Sequence, residues 1–138
     1  MILVDTGPLV ALFDPGDPDH ERCRKVLRQQ RGSLCATVPV LTEAFHLLGP
    51  ASRGSKALRG FFGRRPAELF FLDSDAIVRG FALMEQYSDR PMDLADASLV
   101  VAAERLRTRA IFTLDRRDFD VYRIRRGHRE VSFELVGP

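Results

Sequence analysis

Four acidic residues stand at positions where their side chains can act together: Asp5, Glu43, Asp96 and Asp115. The first and the last directly follow the apolar runs 1–4 and 110–114, and the other two lie near the beginnings of predicted helices in mainly apolar surroundings. Carboxylates that crowd together repel one another, which raises their pKa values unless a cation neutralises them. Hard oxygen ligands of this kind select Mg²⁺ or Mn²⁺.

The chemistry that such an acid cluster suggests is hydrolysis of a phosphodiester. A divalent ion can activate water, bridge a phosphate and stabilise the leaving oxygen of an in-line displacement. All basic residues except Lys25 and Lys56 are Arg, whose planar group binds phosphate in a bidentate manner. A GC-rich genome is an equally good explanation of this Arg usage.

Each acid also has an ordinary structural role open to it. Asp5 can cap the helix that follows, and Glu43 can be an exposed first-turn acid favoured by the helix dipole. Asp93, three residues before Asp96 and on the same helix face, is well placed as an N-cap. Asp118 has the surroundings of a loop or cap acid. Asp96 is followed by a mainly apolar helix and is harder to explain as a cap.

Other catalytic patterns are missing from the sequence. The three histidines have no metal-ligand spacing, and His46, three residues after Glu43, is interpreted as structural. Cys23 and Cys35 form neither a disulfide framework nor a metal-binding pair, which predicts two reduced thiols. The chain has no glycine-rich phosphate loop, no Ser-His-Asp context and no zinc pattern.

A basic segment follows Asp115, with Phe119 and Tyr122 interleaved among its arginines: Arg116, Arg117, Arg123, Arg125, Arg126 and Arg129. RNA phosphates and unstacked bases favour such a mixture of cations and aromatic rings. A solvated surface hairpin or a partner-binding face would give the same composition.

Short apolar runs that alternate with helical patterns indicate an α/β domain with a mostly parallel sheet. The predicted strands cover residues 1–4, 34–38, 68–72 and 110–114, with an edge strand at 131–136. The predicted helices cover residues 9–13, 20–28, 40–48, 58–62, 76–87 and 94–106. The ligand site of such a sheet lies beyond the carboxyl ends of its strands, where the acids converge.

Composition sets the broad class of the protein. A length of 138 residues suits one domain, 1–138, and 45% hydrophobic with 29% charged residues is an ordinary globular balance. The net charge of +2 is too small to argue for nucleic acid alone. The sequence has no signal peptide and no apolar stretch of the roughly 18 residues that a membrane span needs, which predicts a cytoplasmic protein without a membrane partner.

Four segments in this order resemble the PIN-domain family, and within it the toxin ribonucleases of bacterial VapBC toxin–antitoxin systems. The matching segments are residues 3–9, 41–44, 92–99 and 112–119. The resemblance covers essentially the whole chain. It implies a compact three-layer α/β/α sandwich and an endoribonuclease activity that depends on Mg²⁺ or Mn²⁺. It also implies a homodimer held inactive by a small cognate antitoxin, which places a basic side chain in the acidic pocket.

The resemblance also assigns roles to residues of this chain. Asp5 and Asp96 would be the principal metal ligands, with Asp115 as a further ligand, and Glu43 would complete the acidic catalytic site. Thr6 and Thr113 would be supporting hydroxyls. The same resemblance makes RNA the expected substrate.

Some assignments stay open at this point. Asp93 can share or replace part of the role of Asp96, and Asp118 can compete with Asp115. Arg116 and Arg117 are expected to bind RNA. A non-catalytic PIN-fold module that binds RNA or protein is the alternative function, although a degenerate member should have lost an acid. A metal-dependent phosphatase would need a lysine or glycine-rich phosphate clamp, and none is evident.

Overall fold

The fold is built on a central parallel sheet. The computed structural model describes residues 1–64 and 67–138. Their strands are β1 (Ile2–Val4), β2 (Leu34–Thr37), β3 (Glu68–Phe70), β4 (Ala110–Phe112), β5 (Arg123–Arg126), β6 (Arg129–Ser132) and β7 (Glu134–Val136). Five of them form the main sheet in the order β3-β2-β1-β4-β7, with every neighbouring pair parallel. The other two, β5 and β6, form an antiparallel hairpin.

Helices flank the sheet, and the predicted α/β/α arrangement is confirmed. They are α1 (Thr6–Phe13), α2 (His20–Gln29), α3 (Val38–Leu48), α4 (Arg53–Phe62), α5 (Ser74–Gln86), α6 (Leu94–Leu106) and α7 (Arg116–Val121). The first helix packs against α2, α3 and α4, whereas α5 packs against α6. None of the helices in the described residues is both long and apolar enough to cross a membrane.

The core centres on β1 and α6. Leu3 and Val4 are fully buried, as are the facing residues Ile111 and Phe112 of β4. Helix α6 is buried continuously from Ala97 to Ala103, which explains its apolar composition on nearly every face. Cys23 and Cys35 are free, buried thiols, as predicted.

The strand register determines where the acids lie. Val4 of β1 pairs with Phe112 of β4, and the backbone N–H of Asp5 donates to the carbonyl of Phe112 at 2.9 Å. The residues that follow these two strands, Asp5 and Thr113, therefore lie side by side. Since all strands of the sheet run in the same direction, this edge collects the loops at their carboxyl ends.

Several predicted ends are off by one to three residues, and three elements differ more substantially. The predicted edge strand at 131–136 is two strands, because the chain leaves the hairpin after Ser132 and joins β4 through β7. The alternation of apolar residues continues through buried Phe133 without interruption, so the pattern conceals the change of sheet. Helix α4 begins at Arg53 instead of residue 58, because Ser52 caps it through the N–H of Ser55. Residues 116–121 form α7, which the sequence analysis did not identify.

Candidate active site

A cavity of about 570 Å³ opens at the carboxyl edge of the sheet. Six carboxylates line it: Asp5, Glu43, Asp93, Asp96, Asp115 and Asp118. Among the described residues, none of those that line it is basic. The structure therefore brings together all four acids that the sequence singled out and both of those left open. We call this the acid cavity.

Asp5 is the most enclosed of these acids, with 8% of its surface exposed. One carboxylate oxygen accepts the N–H of Thr6 at 2.8 Å, and the other accepts the hydroxyl of Thr113 at 2.9 Å. The residue is also the N-cap of α1, the structural role weighed from the sequence, and its capping side chain lines the acid cavity as well. Burial raises the pKa of Asp5 to about 6, against the opposing effect of these hydrogen bonds, and the charges of Asp115 and Glu43 raise it further.

Thr113 connects two of the acids. Its buried hydroxyl donates to Asp5 and accepts the backbone N–H of Asp115 at 2.9 Å. Its own N–H donates to the carbonyl of Val136 at 3.1 Å, which ties this turn to β7. Hydrogen bonds to Asp5 and Asp115 therefore orient the Thr113 hydroxyl, and the backbone contact with β7 fixes the turn that carries it.

Asp96 lies in the first turn of α6, and its backbone N–H donates to the side chain of Asp93 at 2.8 Å. Asp93 is thus the N-cap of α6, the structural role that the sequence favoured. Like Asp5, the Asp96 carboxylate accepts a hydrogen bond from a side-chain hydroxyl, that of Tyr122, at 3.1 Å. Burial raises the pKa of Asp96 to about 8, and the charges of Asp93 and Asp5 add to this effect.

Tyr122 was missed as a site residue. Its ring is fully buried and packs edge-on against Tyr87 and Phe119, with centroid distances of 5.1 and 5.2 Å. The prediction that Phe119 and Tyr122 belong to an RNA-contacting surface is wrong, because neither ring is exposed. No local pattern marks an inward face here, because α7 has four charged residues and only two apolar ones, Phe119 and Val121.

The rim of the acid cavity is more open. Asp115 is exposed, caps α7 through the N–H of Asp118 at 3.3 Å, and has its pKa raised by the desolvation of its carboxylate. Asp118 forms an ion pair with Arg90 at 2.8 Å, so its charge is already balanced. Glu43, on α3, is half-buried, and no described side chain donates to its carboxylate.

The hydroxyl of Thr6 has no partner. It lies buried at the wall of the acid cavity, and no described group is within hydrogen-bonding reach of it. A buried hydroxyl without a partner is unfavourable unless water or a ligand satisfies it. This side chain therefore indicates that the cavity is completed by something other than the chain itself.

The donor set of the acid cavity fits a divalent cation. All its charged groups are hard oxygen donors, two of them have their pKa values raised to about 6 and about 8 in the absence of a cation, and one hydroxyl is unsatisfied. Within residues 1–64 and 67–138, no three of these side chains converge closely enough to enclose an ion. This openness suits Mg²⁺, which keeps several waters and uses one or two carboxylates.

The two arginines predicted to bind RNA lie just outside this cavity. Arg116 and Arg117 are exposed in the first turn of α7 and line a shallow depression of about 320 Å³ with Asp120 and Leu135. The rest of the basic segment forms the hairpin. Its backbone is fixed to α6, where Glu104 accepts the N–H of Arg125 at 2.8 Å.

Comparisons with known proteins agree on one family. The PIN-domain family matches residues 2–125 of this chain. The chain is 31% identical over 125 residues to Ribonuclease VapC26 of Mycobacterium tuberculosis, covering 88% of this chain and 92% of that protein.

Two solved structures share the fold. The crystal structure of Mycobacterium tuberculosis VapC20, a toxin that cleaves the sarcin-ricin loop, matches with a TM-score of 0.75 and 18% identity, covering 80% of this chain and 87% of that one. A toxin–antitoxin complex from Klebsiella pneumoniae matches with a TM-score of 0.67 and 18% identity, covering 88% and 92%. With the family match and the identity to a VapC ribonuclease, the chain belongs to the PIN-domain family and, within it, to the VapC group.

Proposed function

We propose that this protein is an endoribonuclease that hydrolyses RNA phosphodiester bonds at the acid cavity, with Mg²⁺ or Mn²⁺ as its ion, and that residues 1–138 act as one nuclease domain. The observation that carries the proposal is the convergence of six carboxylates on one cavity without a basic lining residue. Ribonucleases of this family generally depend on a divalent metal.

Three acids would hold the ion: Asp5, Asp96 and Asp115. A bound divalent ion supplies a more acidic water and compensates the charge that develops on phosphate oxygens. Thr113 and Tyr122 keep the carboxylates of Asp5 and Asp96 in fixed orientations through their hydrogen bonds. The unsatisfied Thr6 hydroxyl offers a further donor or acceptor to a ligand in the cavity.

The reaction that fits this arrangement is attack by water on phosphorus. Glu43 lies at the cavity without a partner in the described chain and can accept a hydrogen bond from that water. Cleavage of the bond between phosphorus and O3′ leaves a 3′-hydroxyl and a 5′-phosphate. Attack by the RNA 2′-hydroxyl would instead leave a cyclic phosphate and a 5′-hydroxyl, so the product ends distinguish the two mechanisms.

The partners follow from the family and from charge. VapC toxins pair with antitoxins. We infer that a small cognate antitoxin silences this protein by placing a basic side chain in the acid cavity, and that the protein forms a homodimer in the cytoplasm. Arg116 and Arg117 beside the cavity would contact RNA phosphates, which the carboxylates themselves repel.

The test uses purified protein and labelled total RNA with Mg²⁺, with Mn²⁺ and with EDTA. The Asp5→Asn variant removes one acid of the cavity, and Asp75→Asn is the matched control, because Asp75 is exposed on α5 and does not line the cavity. We expect metal-dependent cleavage in the wild type and the control only. Intact RNA in every lane, together with RNA binding, would instead favour a non-catalytic PIN-fold module.

A further inference from the structure

A second cavity of about 600 Å³ adjoins the acid cavity. The two share Glu43 and Asp93, so a ligand in one lies next to a ligand in the other. Its volume is in the range of about 300–1,000 Å³ that small-molecule sites occupy. The roles described above make no use of this second cavity.

The walls of the second cavity are apolar and come from two helix beginnings. Val38 and Pro39 start α3, while Leu94 and Ala95 start α6. Val38 is 39% exposed, so an apolar surface is open to solvent beside a strongly acidic cavity. An open cavity with apolar walls suits an aromatic ring that has left its stack, as bases of single-stranded RNA do.

The polar groups of the second cavity mainly accept hydrogen bonds. One oxygen of Asp93 accepts the N–H of Asp96, and no described group donates to the other oxygen. The hydroxyl of Thr42 already donates to the carbonyl of Val38 at 3.0 Å. His46 stands at the edge of this cavity, where its exposed ring can lie against a ligand. A ligand that donates a hydrogen bond to Asp93 is therefore favoured.

We propose that the second cavity is a subsite for one unstacked nucleobase that carries an exocyclic amino group, next to the phosphate to be cut. Adenine, cytosine and guanine can donate such an amino hydrogen to Asp93, whereas uracil presents a carbonyl in its place. This proposal rests on the proposed function, because the phosphate of the same RNA would occupy the acid cavity. It predicts that the protein discriminates against uracil at one position beside the cut.

The first experiment measures nucleoside binding by NMR in EDTA, without RNA. Cytidine and uridine are the probes, because they carry no phosphate and differ by an amino group against a carbonyl. We expect cytidine to shift the backbone amides of residues 38–46 and 94–95 with an affinity about tenfold higher than that of uridine, the ratio that one hydrogen-bonded base contact supplies.

Three variants test which surface binds the base. Val38→Trp fills the second cavity and should abolish the cytidine shifts. Val78→Trp is the matched control, because Val78 is 64% exposed on α5 and lines neither cavity. Asp93→Asn preserves the helix cap, since Asn caps as well as Asp. Its amide can donate to the uracil carbonyl, so cytidine should lose its advantage over uridine.

The second experiment digests a random-sequence RNA pool with the same proteins and sequences the product ends. The wild type and Val78→Trp should share a depletion of uracil at one position beside the cut, and Val38→Trp should lose it.

The outcomes separate this proposal from the proposed function. Cytidine selectivity without RNA cleavage would sustain the subsite and contradict the nuclease. RNA cleavage with equal or absent nucleoside binding would overturn the subsite alone. If Val38→Trp leaves nucleoside binding unchanged but lowers the molecular mass measured by light scattering, the cavity is an interface between copies and the proposal fails.

Discussion

The acid cavity has two sides that are built differently. On the inner side, Asp5 is buried and Asp96 is half-buried, and each accepts a hydrogen bond from the side chain of a buried residue, Thr113 or Tyr122. On the outer side, Asp115 is exposed and Asp118 is neutralised by Arg90. We refer to Asp5 and Asp96 as the inner pair and to Asp115 and Asp118 as the outer pair.

The two pairs therefore differ in how strongly their environment disfavours the charged carboxylate. Burial raises the pKa values of the inner pair to about 6 and about 8, so both acids are held in an unfavourable environment that a cation would relieve. In the outer pair, Asp115 is exposed to solvent and the charge of Asp118 is balanced by Arg90. We infer that the inner pair anchors the ion, that Asp115 joins it from the outer side, and that Asp118 contributes least to the reaction.

The largest expected effect separates the pairs directly. Asp5→Asn or Asp96→Asn should lower RNA cleavage by about 10³-fold or more, because a catalytic unit fails when one principal member is lost. Asp118→Asn should lower it less than about tenfold, since that charge is already paired with Arg90. Initial cleavage rates in Mg²⁺ measure both effects. If Asp118→Asn lowered the cleavage rate as much as Asp5→Asn or Asp96→Asn, the distinction between the inner pair and Asp118 would be wrong.

The second effect concerns the buried hydroxyls. Tyr122→Phe and Thr113→Val remove the hydrogen bonds to Asp96 and Asp5 while nearly preserving shape. We expect metal affinity to fall by about 10–100-fold, the scale of outer partners of metal ligands. Calorimetric titration with Mn²⁺ measures it, and circular dichroism checks that the variants are folded. Unchanged affinity in both variants would remove the positioning role.

The third effect is a pH dependence of stability without metal. The inner pair has folded-state pKa values of about 6 and about 8, above the ordinary value of 3.8. Between about pH 4 and pH 8 the folded state therefore binds more protons than the unfolded state, and the free energy of unfolding falls as pH rises. Below this window both states are protonated, and this contribution stays constant.

Asp96→Asn is the variant that tests this sign. It removes the acid with the higher pKa and should raise the melting temperature in EDTA at pH 8 by at least about 4 °C, equivalent to about 1 kcal/mol. Thermal unfolding at pH 5 and pH 8 measures the difference, with Asp75→Asn as the exposed control. A wild type that becomes more stable across this window, or a variant that melts earlier, would contradict the electrostatic account.

The smallest effect tests the outer pair alone. Arg90→Gln frees the Asp118 carboxylate and adds one uncompensated charge beside Asp115. We expect a change in cleavage rate of less than about threefold at physiological salt, because exposed pairs contribute little. Rates compared at low and high salt would reveal it. A loss comparable with that of Asp96→Asn would show that Arg90 belongs to the reaction centre.

The sequence predicted the parts of the site that depend on strand direction. Asp5 follows a short apolar run, and in a parallel sheet the residues after such runs meet at one edge, which the pairing of Val4 with Phe112 brings about. Asp115 lies three residues beyond the end of β4 and not directly after it. It still lies at that edge, because α7 begins at the next residue. Local pattern and topology agree at these positions.

The sequence could not predict the parts of the site that depend on the direction of a side chain. Tyr122 lies among arginines in the sequence, and only the packing of α7 and β5 turns its ring toward Asp96. Thr113 entered through family resemblance, since nothing local distinguishes a hydroxyl that joins two acids. The change of sheet at Phe133 was hidden because its apolar alternation is uninterrupted.

The most direct measurement compares RNA cleavage by the wild type, Asp96→Asn and Asp118→Asn in Mg²⁺ and in EDTA, with the product ends mapped. We predict cleavage only in Mg²⁺, none detectable for Asp96→Asn, nearly wild-type rates for Asp118→Asn, and 5′-phosphate ends throughout. Cleavage that persists in EDTA or in Asp96→Asn, or products with 5′-hydroxyl ends, would contradict a metal-dependent site centred on the inner pair.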